Sequence, residues 1–222
     1  MYVDGFITQL LFGAVITIKL ALCAALLGMV IGLVGSLLES IPWKMLRYIA
    51  ASIIFLVRGL PELLVLFFIY FGLTALLTQL FHHYVDISAF VAGVIALSLI
   101  FGAYASQVFR GAFLAIDSGQ IEAGKAMGLS HPQIIWRITL PQAWRHALPG
   151  LGNLWLVLIK DTSIVSLIGL SEMMNQAQIA ASTTHQPFTY YLIAACIYLI
   201  LTTLSQKAIN VFTARANRYI HI

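Results

Sequence analysis

The stretch GQIEAGKAMGLSHPQIIWRITLP, Gly119 to Pro141, is a long polar interruption in an apolar chain. It holds Glu122, Lys125, His131 and Arg137, has Gly124 and Gly128 inside it, and ends on Pro141. The chain around it has 222 residues, of which 61% are hydrophobic and 9% charged. Its mean hydropathy is +0.95. That balance excludes an ordinary soluble domain, whose surface needs more charge. Long apolar runs on both sides of the stretch indicate membrane segments.

Working outward, five segments each reach the ~20 residues that a helix needs to cross a bilayer. They are Phe6–Leu38, Ile49–Leu80 (broken by RGLPE), Ile87–Phe109, Ala147–Leu170 and Phe188–Gln206. Backbone in lipid must bond to itself, so all five are read as helices in one domain covering residues 1–222. The start, MYVDGF, has Asp4 but no Lys or Arg, and the run after it is too long for a cleaved leader, so the first segment is expected to stay in the membrane. Gly28 and Gly32 form a GxxxG that suits close helix packing. Cys23 and Cys196 lie in apolar runs with no zinc spacing and no disulfide framework.

The loops set the orientation. Lys44 and Arg47 follow segment one; Arg110, Lys125, Arg137 and Arg145 follow segment three; Lys207, Arg215 and Arg218 follow segment five. The loops Thr78–Asp86 and Ser171–Pro187 have no Lys or Arg. The positive-inside rule then places the N-terminus outside and the C-terminus in the cytoplasm. The same scatter of charge accounts for the net +4 without nucleic acid. The opening stretch becomes a cytoplasmic loop, residues 117–141, read as a handle by which another protein moves the rest.

Its local signals are those of two short helices. Asp117 with Gln120, and Ser130 with Gln133, have capping-box spacing. Gly128 suits a left-handed position after a helix end. Pro132 falls in the first turn of the next helix, and Pro141 ends it. The helices are predicted over Ser118–Met127 and His131–Leu140. Ala123, Gly124 and Ala126 give the first a small-residue surface, and Ile134, Ile135 and Ile138 can hold the second to the bundle. A passive amphipathic loop on the bilayer is the alternative.

The stretch resembles the EAA loop of bacterial ABC-importer permeases: Glu-Ala-Ala, three residues, Gly, nine residues, Ile-x-Leu-Pro. Here Glu122, Ala123, Gly124, Gly128, Ile138, Leu140 and Pro141 hold those positions, with Gly124 in place of the usual third-position Ala. VRGLPELLVLFFIYFG (Val57–Gly72), AYASQVFRGAF (Ala103–Phe113) and WRHALPGLGNLWLVLIKDTSIVSLIGL (Trp144–Leu170) are similar to the polar amino acid, or histidine-permease-like, subfamily. The approach to the loop more often reads Glu where this chain has Gln107. The resemblance implies a type I importer permease in a bacterial inner membrane, docking through Glu122 and Gly128 on an ATP-binding subunit. It points to substrates such as arginine, histidine, lysine or ornithine. It also implies two ATP-binding subunits, a second permease subunit (a related M-type chain, or a second copy) and an extracytoplasmic solute-binding protein. The chain has no G-x-x-x-x-G-K-[ST] loop, so ATP is expected on a partner and no cofactor on this chain.

Charges inside spans are costly unless paired or wet, from ~2.5 kcal/mol upward at a helix centre. Arg58 and Glu62, four residues apart, can share a face beside Pro61, whose missing N–H frees a carbonyl. Glu62 can accept hydrogen bonds from a guanidinium or ammonium, and Arg58 can attract a carboxylate; a self-neutralising Arg58–Glu62 pair is the alternative. Asp161 with Thr162 forms a second candidate wall, and Tyr104 can add a cation–π face. Lys160 is read as pairing with another helix or the partner subunit, and Lys19 as a snorkelling or interhelical residue. His82 and His83, in an outer loop, lack a third metal ligand, and contact with the binding protein suits them better. Three rivals remain: the same kind of importer for glutamine or octopine-like compounds, an intramembrane enzyme, and a channel. The enzyme needs a nucleophile–base pair or metal ligands at membrane depth, and no such constellation appears. A channel has no use for a docking loop.

Overall fold

The computed structural model describes residues 2–217, all helices and connections, with no strand among them. Arg218, one of the basic residues used for orientation, lies outside the described residues. Ten α-helices follow in order: α1 Tyr2–Ser40, α2 Lys44–Gly59, α3 Glu62–Phe67, α4 Leu73–Phe81, α5 Ala89–Leu114, α6 Ser118–Ala126, α7 His131–Ile134, α8 Leu140–Asp161, α9 Met173–Thr184 and α10 Pro187–Asn217. Five stretches among the described residues are long and apolar enough to cross a membrane: Gly5–Ser40, Glu62–Phe81, Ala89–Leu114, His131–Ile168 and Pro187–Ala216. Large apolar side chains face outward, including Phe12 at 69%, Phe55 at 76% and Phe188 at 79% exposed, an arrangement that suits lipid or a partner subunit and not water.

The axis of the bundle is α5. It is charge-free as far as Arg110, and residues from Ala92 to Ala112 are buried along it. α1 lies against it in parallel: Gly28 meets Ser98 and Phe101, and Gly32 meets Gly102 and Ala105. A Cβ on Gly32 would come within 2.7 Å of Ala105 Cβ and 3.0 Å of the Gly102 carbonyl, so the GxxxG pair sets the approach of the two backbones. α8 packs antiparallel to α5, with Gly150 against Val108 and Val165, beyond its end, against Gly93. Leu20, Leu97, Ile100, Leu151 and Leu158 fill the space between these elements. Gly32→Leu should therefore overpack the α1–α5 seam by ~1–3 kcal/mol. Thermal unfolding of the purified protein in detergent should show a clear drop in midpoint. Gly111→Ala, where a Cβ meets nothing within 4 Å, should leave it unchanged.

Three expectations need correction. The helix predicted to stop at Leu140 instead continues. A π-helical turn over Ile135–Thr139 joins α7 to α8, and Pro141 occupies the first turn of α8. The widened turn accommodates the carbonyl that Pro141 leaves without a donor. The loop expected over Ser171–Pro187 is mostly helix α9, whose Ala177, Ala180 and Ala181 are buried against α1 and α10. Its small apolar side chains, not hydropathy, seat it there. The fourth segment does not remain α-helical to Leu170: it tightens to a 3₁₀ helix over Thr162–Ile168 and stops at Gly169, with φ +88°.

Candidate functional site

The second apolar run breaks where its sequence says it should. Leu60 and Pro61 are extended, with ψ 144° and 132°, and α3 restarts at Glu62. Pro61 caps the new helix with its carbonyl, which accepts from Leu64 N at 2.9 Å. The carboxylate of Glu62 thus sits at a helix N-terminus, where the dipole favours an anion. Asp161 is the last residue of α8, before the 3₁₀ turn. The two acids, from elements far apart in sequence, line one cavity of about 180 Å³ with Ile100, Phe101, Tyr104, Leu154, Val157 and Leu158. Arg58 does not ion-pair with Glu62; its guanidinium carbon sits 5.2 Å from the centroid of the Tyr104 ring. Glu62 and Asp161 therefore offer acceptors for a cation, and the apolar residues a wall for an aliphatic stem, while Arg58 already covers one face of the Tyr104 ring.

Four of the five side chains singled out for the cavity, Arg58, Glu62, Tyr104 and Asp161, are brought together. Thr162 is not among them. The 3₁₀ tightening turns it into the core, where it is 0% exposed and its hydroxyl donates to the Ile159 carbonyl at 2.6 Å. Lys160 points into a separate groove beside Ser163, Met174, Tyr198 and Thr202. Lys19 is exposed. Two buried acids escaped the sequence reading. Glu172 falls in the stretch expected as a loop, yet it is 0% exposed and accepts from Thr17 Oγ1 at 3.2 Å, Tyr198 Oη at 3.3 Å and Asn175 N at 2.8 Å. Burial pushes its carboxyl above the ordinary range, and the hydrogen bonds pull the other way. Glu39, 5% exposed, lies in the last turn of α1. The available signal for both was an acid abutting an apolar run.

At the far end of the bundle lies the helical hairpin of α6 and α7. Asp117 Oδ1 accepts from Gly119 N at 2.7 Å, and Ser130 N donates to Gln133 Oε1 at 2.8 Å. α6 ends in a full Schellman motif: Leu129 N donates to the Gly124 carbonyl at 3.1 Å and Gly128 N to the Lys125 carbonyl at 2.9 Å. Gly128 has φ +76°, a conformation that a β-branched residue resists. Gly124 is buried against α7 and the π turn; a Cβ there would meet Ile138 Cδ1 at 2.8 Å. The glycine in the third EAA position thus lets the second limb close on the first. Glu122, Ala123, Lys125 and Ala126 stay exposed, with Met127 81% exposed at the tip. Ile138 and Leu140 are partly buried and Pro141 is exposed at the root of α8.

Residues 24–218 match the family described as binding-protein-dependent transport system inner membrane component. The chain is 46% identical to the arginine ABC transporter permease protein ArtQ of Haemophilus influenzae over 219 residues, covering 97% of both chains. It is 44% identical to ArtQ of Escherichia coli strain K12 over 220 residues, covering 91% of this chain and 92% of that one. Among solved structures, an amino acid ABC transporter crystallised with histidines superposes with TM-score 0.85 at 33% identity, covering 96% and 97% of the two chains. The broken second span, the Schellman-capped hairpin and these likenesses agree: the chain belongs to the family of inner-membrane permease components of binding-protein-dependent ABC importers, as a multi-pass subunit of type I fold.

Proposed function

We propose that this chain passes basic amino acids, arginine foremost, through the membrane by alternating access. The observation that carries the substrate class is the pair of carboxylates, Glu62 and Asp161, in one apolar-walled cavity. Carboxylate acceptors suit a ligand that stays cationic at every physiological pH. An amino acid with an uncharged side chain brings only its α-ammonium, so its side chain supplies no counter-charge to the acids at the far end of the ligand. The likeness to the ArtQ permeases supports the same choice. The chain itself catalyses no covalent step. One of two ATP-binding subunits docks on the 117–141 loop, and a second permease subunit, an M-type chain or a second copy, completes the pathway. An extracytoplasmic binding protein delivers the substrate. The test is purification of the assembled complex: an ATP-binding subunit should co-purify, and arginine with its binding protein should stimulate ATP hydrolysis. Purification of this chain without an ATPase, from cells that express both, would count against the reading.

The orientation that goes with this function places α9 outside and the hairpin in the cytoplasm. After removal of Cys23 and Cys196, a cysteine at exposed Thr183 should react in intact cells with an impermeant thiol reagent, and one at exposed His131 should not. The reverse pattern would invert the topology.

A further inference from the structure

The inner end of α1 is tied to α5 by a polar cluster just before the hairpin. Glu39 lies in the last turn of α1, and its carboxylate is 3% exposed. Its Oε2 accepts from Gln107 Nε2 at 3.0 Å and from Arg110 Nη1 at 3.2 Å, both on the last turns of α5. Four residues beyond Arg110, α5 ends, and Asp117 begins the hairpin. The glycine seam at Gly28 and Gly32 packs the same two helices closely further from the hairpin, and the polar cluster ties the ends that lie beyond it. An acid at position 107 would set a second negative charge against Glu39; the amide donates to it instead.

We infer that Glu39 is a positioning residue that makes α1 and α5 one lever, so that displacement of the hairpin moves both helices together. The inference rests on the coupling role proposed for the hairpin. Without the clamp, the hairpin can move while α1 stays behind, and ATP hydrolysis is spent without transport. The cluster also predicts its own rescue. In Glu39→Gln with Gln107→Glu, the amide donates across the same helix pair in the opposite sense, and Arg110 keeps a carboxylate three residues away on its own helix.

The test uses the complete complex in proteoliposomes with its ATPase, its binding protein and radiolabelled arginine. Arginine transported per ATP hydrolysed should fall about fivefold or more in Glu39→Gln, the low end of ordinary coupling free energies. Subunit assembly and basal ATP hydrolysis should hold. The double variant should recover most of the ratio. An unchanged ratio in Glu39→Gln overturns the inference. So does a lower ratio that the double variant does not recover; if Glu39→Gln fails to assemble, recovery in the double variant decides. A wild-type complex that neither binds the ATPase nor transports arginine would instead overturn the underlying function.

Discussion

Glu62→Gln should leave the transport complex assembled and cut arginine transport by about 30-fold or more. Removing one side of a desolvated, charged hydrogen bond commonly costs ~2–5 kcal/mol, and the lower figure corresponds to that ratio. Any residual transport of neutral amino acids should fall much less, because the change removes charge and keeps shape. Asp161→Asn should act in the same direction but more weakly, since Lys160 is its chain neighbour. The competing account makes Glu62 a counter-ion for Arg58. The geometry speaks against it: Arg58 rests on the Tyr104 ring and makes no ion pair with Glu62. The variant pair separates the two. If Arg58→Gln combined with Glu62→Gln regains arginine uptake, Glu62 is a structural partner and the cavity reading fails.

The second large effect is expected at Gly128. Valine there would be forced to φ +76°, costing ~1–2 kcal/mol or more in backbone strain. Space is not the obstacle, since nothing lies within 4 Å of the added Cβ. The Schellman bonds from Gly128 and Leu129 would be lost or distorted, and α6 would leave its angle to α7. Transport should be abolished and the ATPase should co-purify poorly, while the protein still inserts and α1–α5 packing stays intact. Gly128→Asn, which tolerates the left-handed region, should retain a measurable fraction of activity. Normal uptake in Gly128→Val would remove the hairpin from the coupling mechanism.

Much of this was legible because lipid simplifies the code. Five apolar runs became five spanning stretches, and the break at Leu60–Pro61 fell where Pro removes a donor. Gly128 announced its left-handed φ, and Ser130 with Gln133 announced a helix start. Long-range juxtaposition was less legible. Glu62 and Asp161 each stand out as an acid in a span, but only packing of α3 and α8 against α5 brings them to one cavity. Thr162 was misassigned because adjacency to Asp161 says nothing about a 3₁₀ turn that redirects it. α9 is hidden in the sequence because Asn175, Gln176, Gln178 and Ser182 lower its hydropathy, while its alanines suit tight packing. Glu39 and Glu172 were missed because a buried acid at the edge of an apolar run looks the same in sequence as a solvated one.

The most direct measurement is competition for uptake of radiolabelled arginine by the assembled complex, with its binding protein saturating, against lysine, ornithine, histidine and glutamine. The account predicts that lysine and ornithine, which carry a side-chain cation, compete strongly. Glutamine, of similar length but neutral, should compete only at far higher concentration. Both preferences should weaken in Glu62→Gln. Glutamine competing as well as lysine in the wild-type complex would contradict the claim that the Glu62–Asp161 cavity selects a cation.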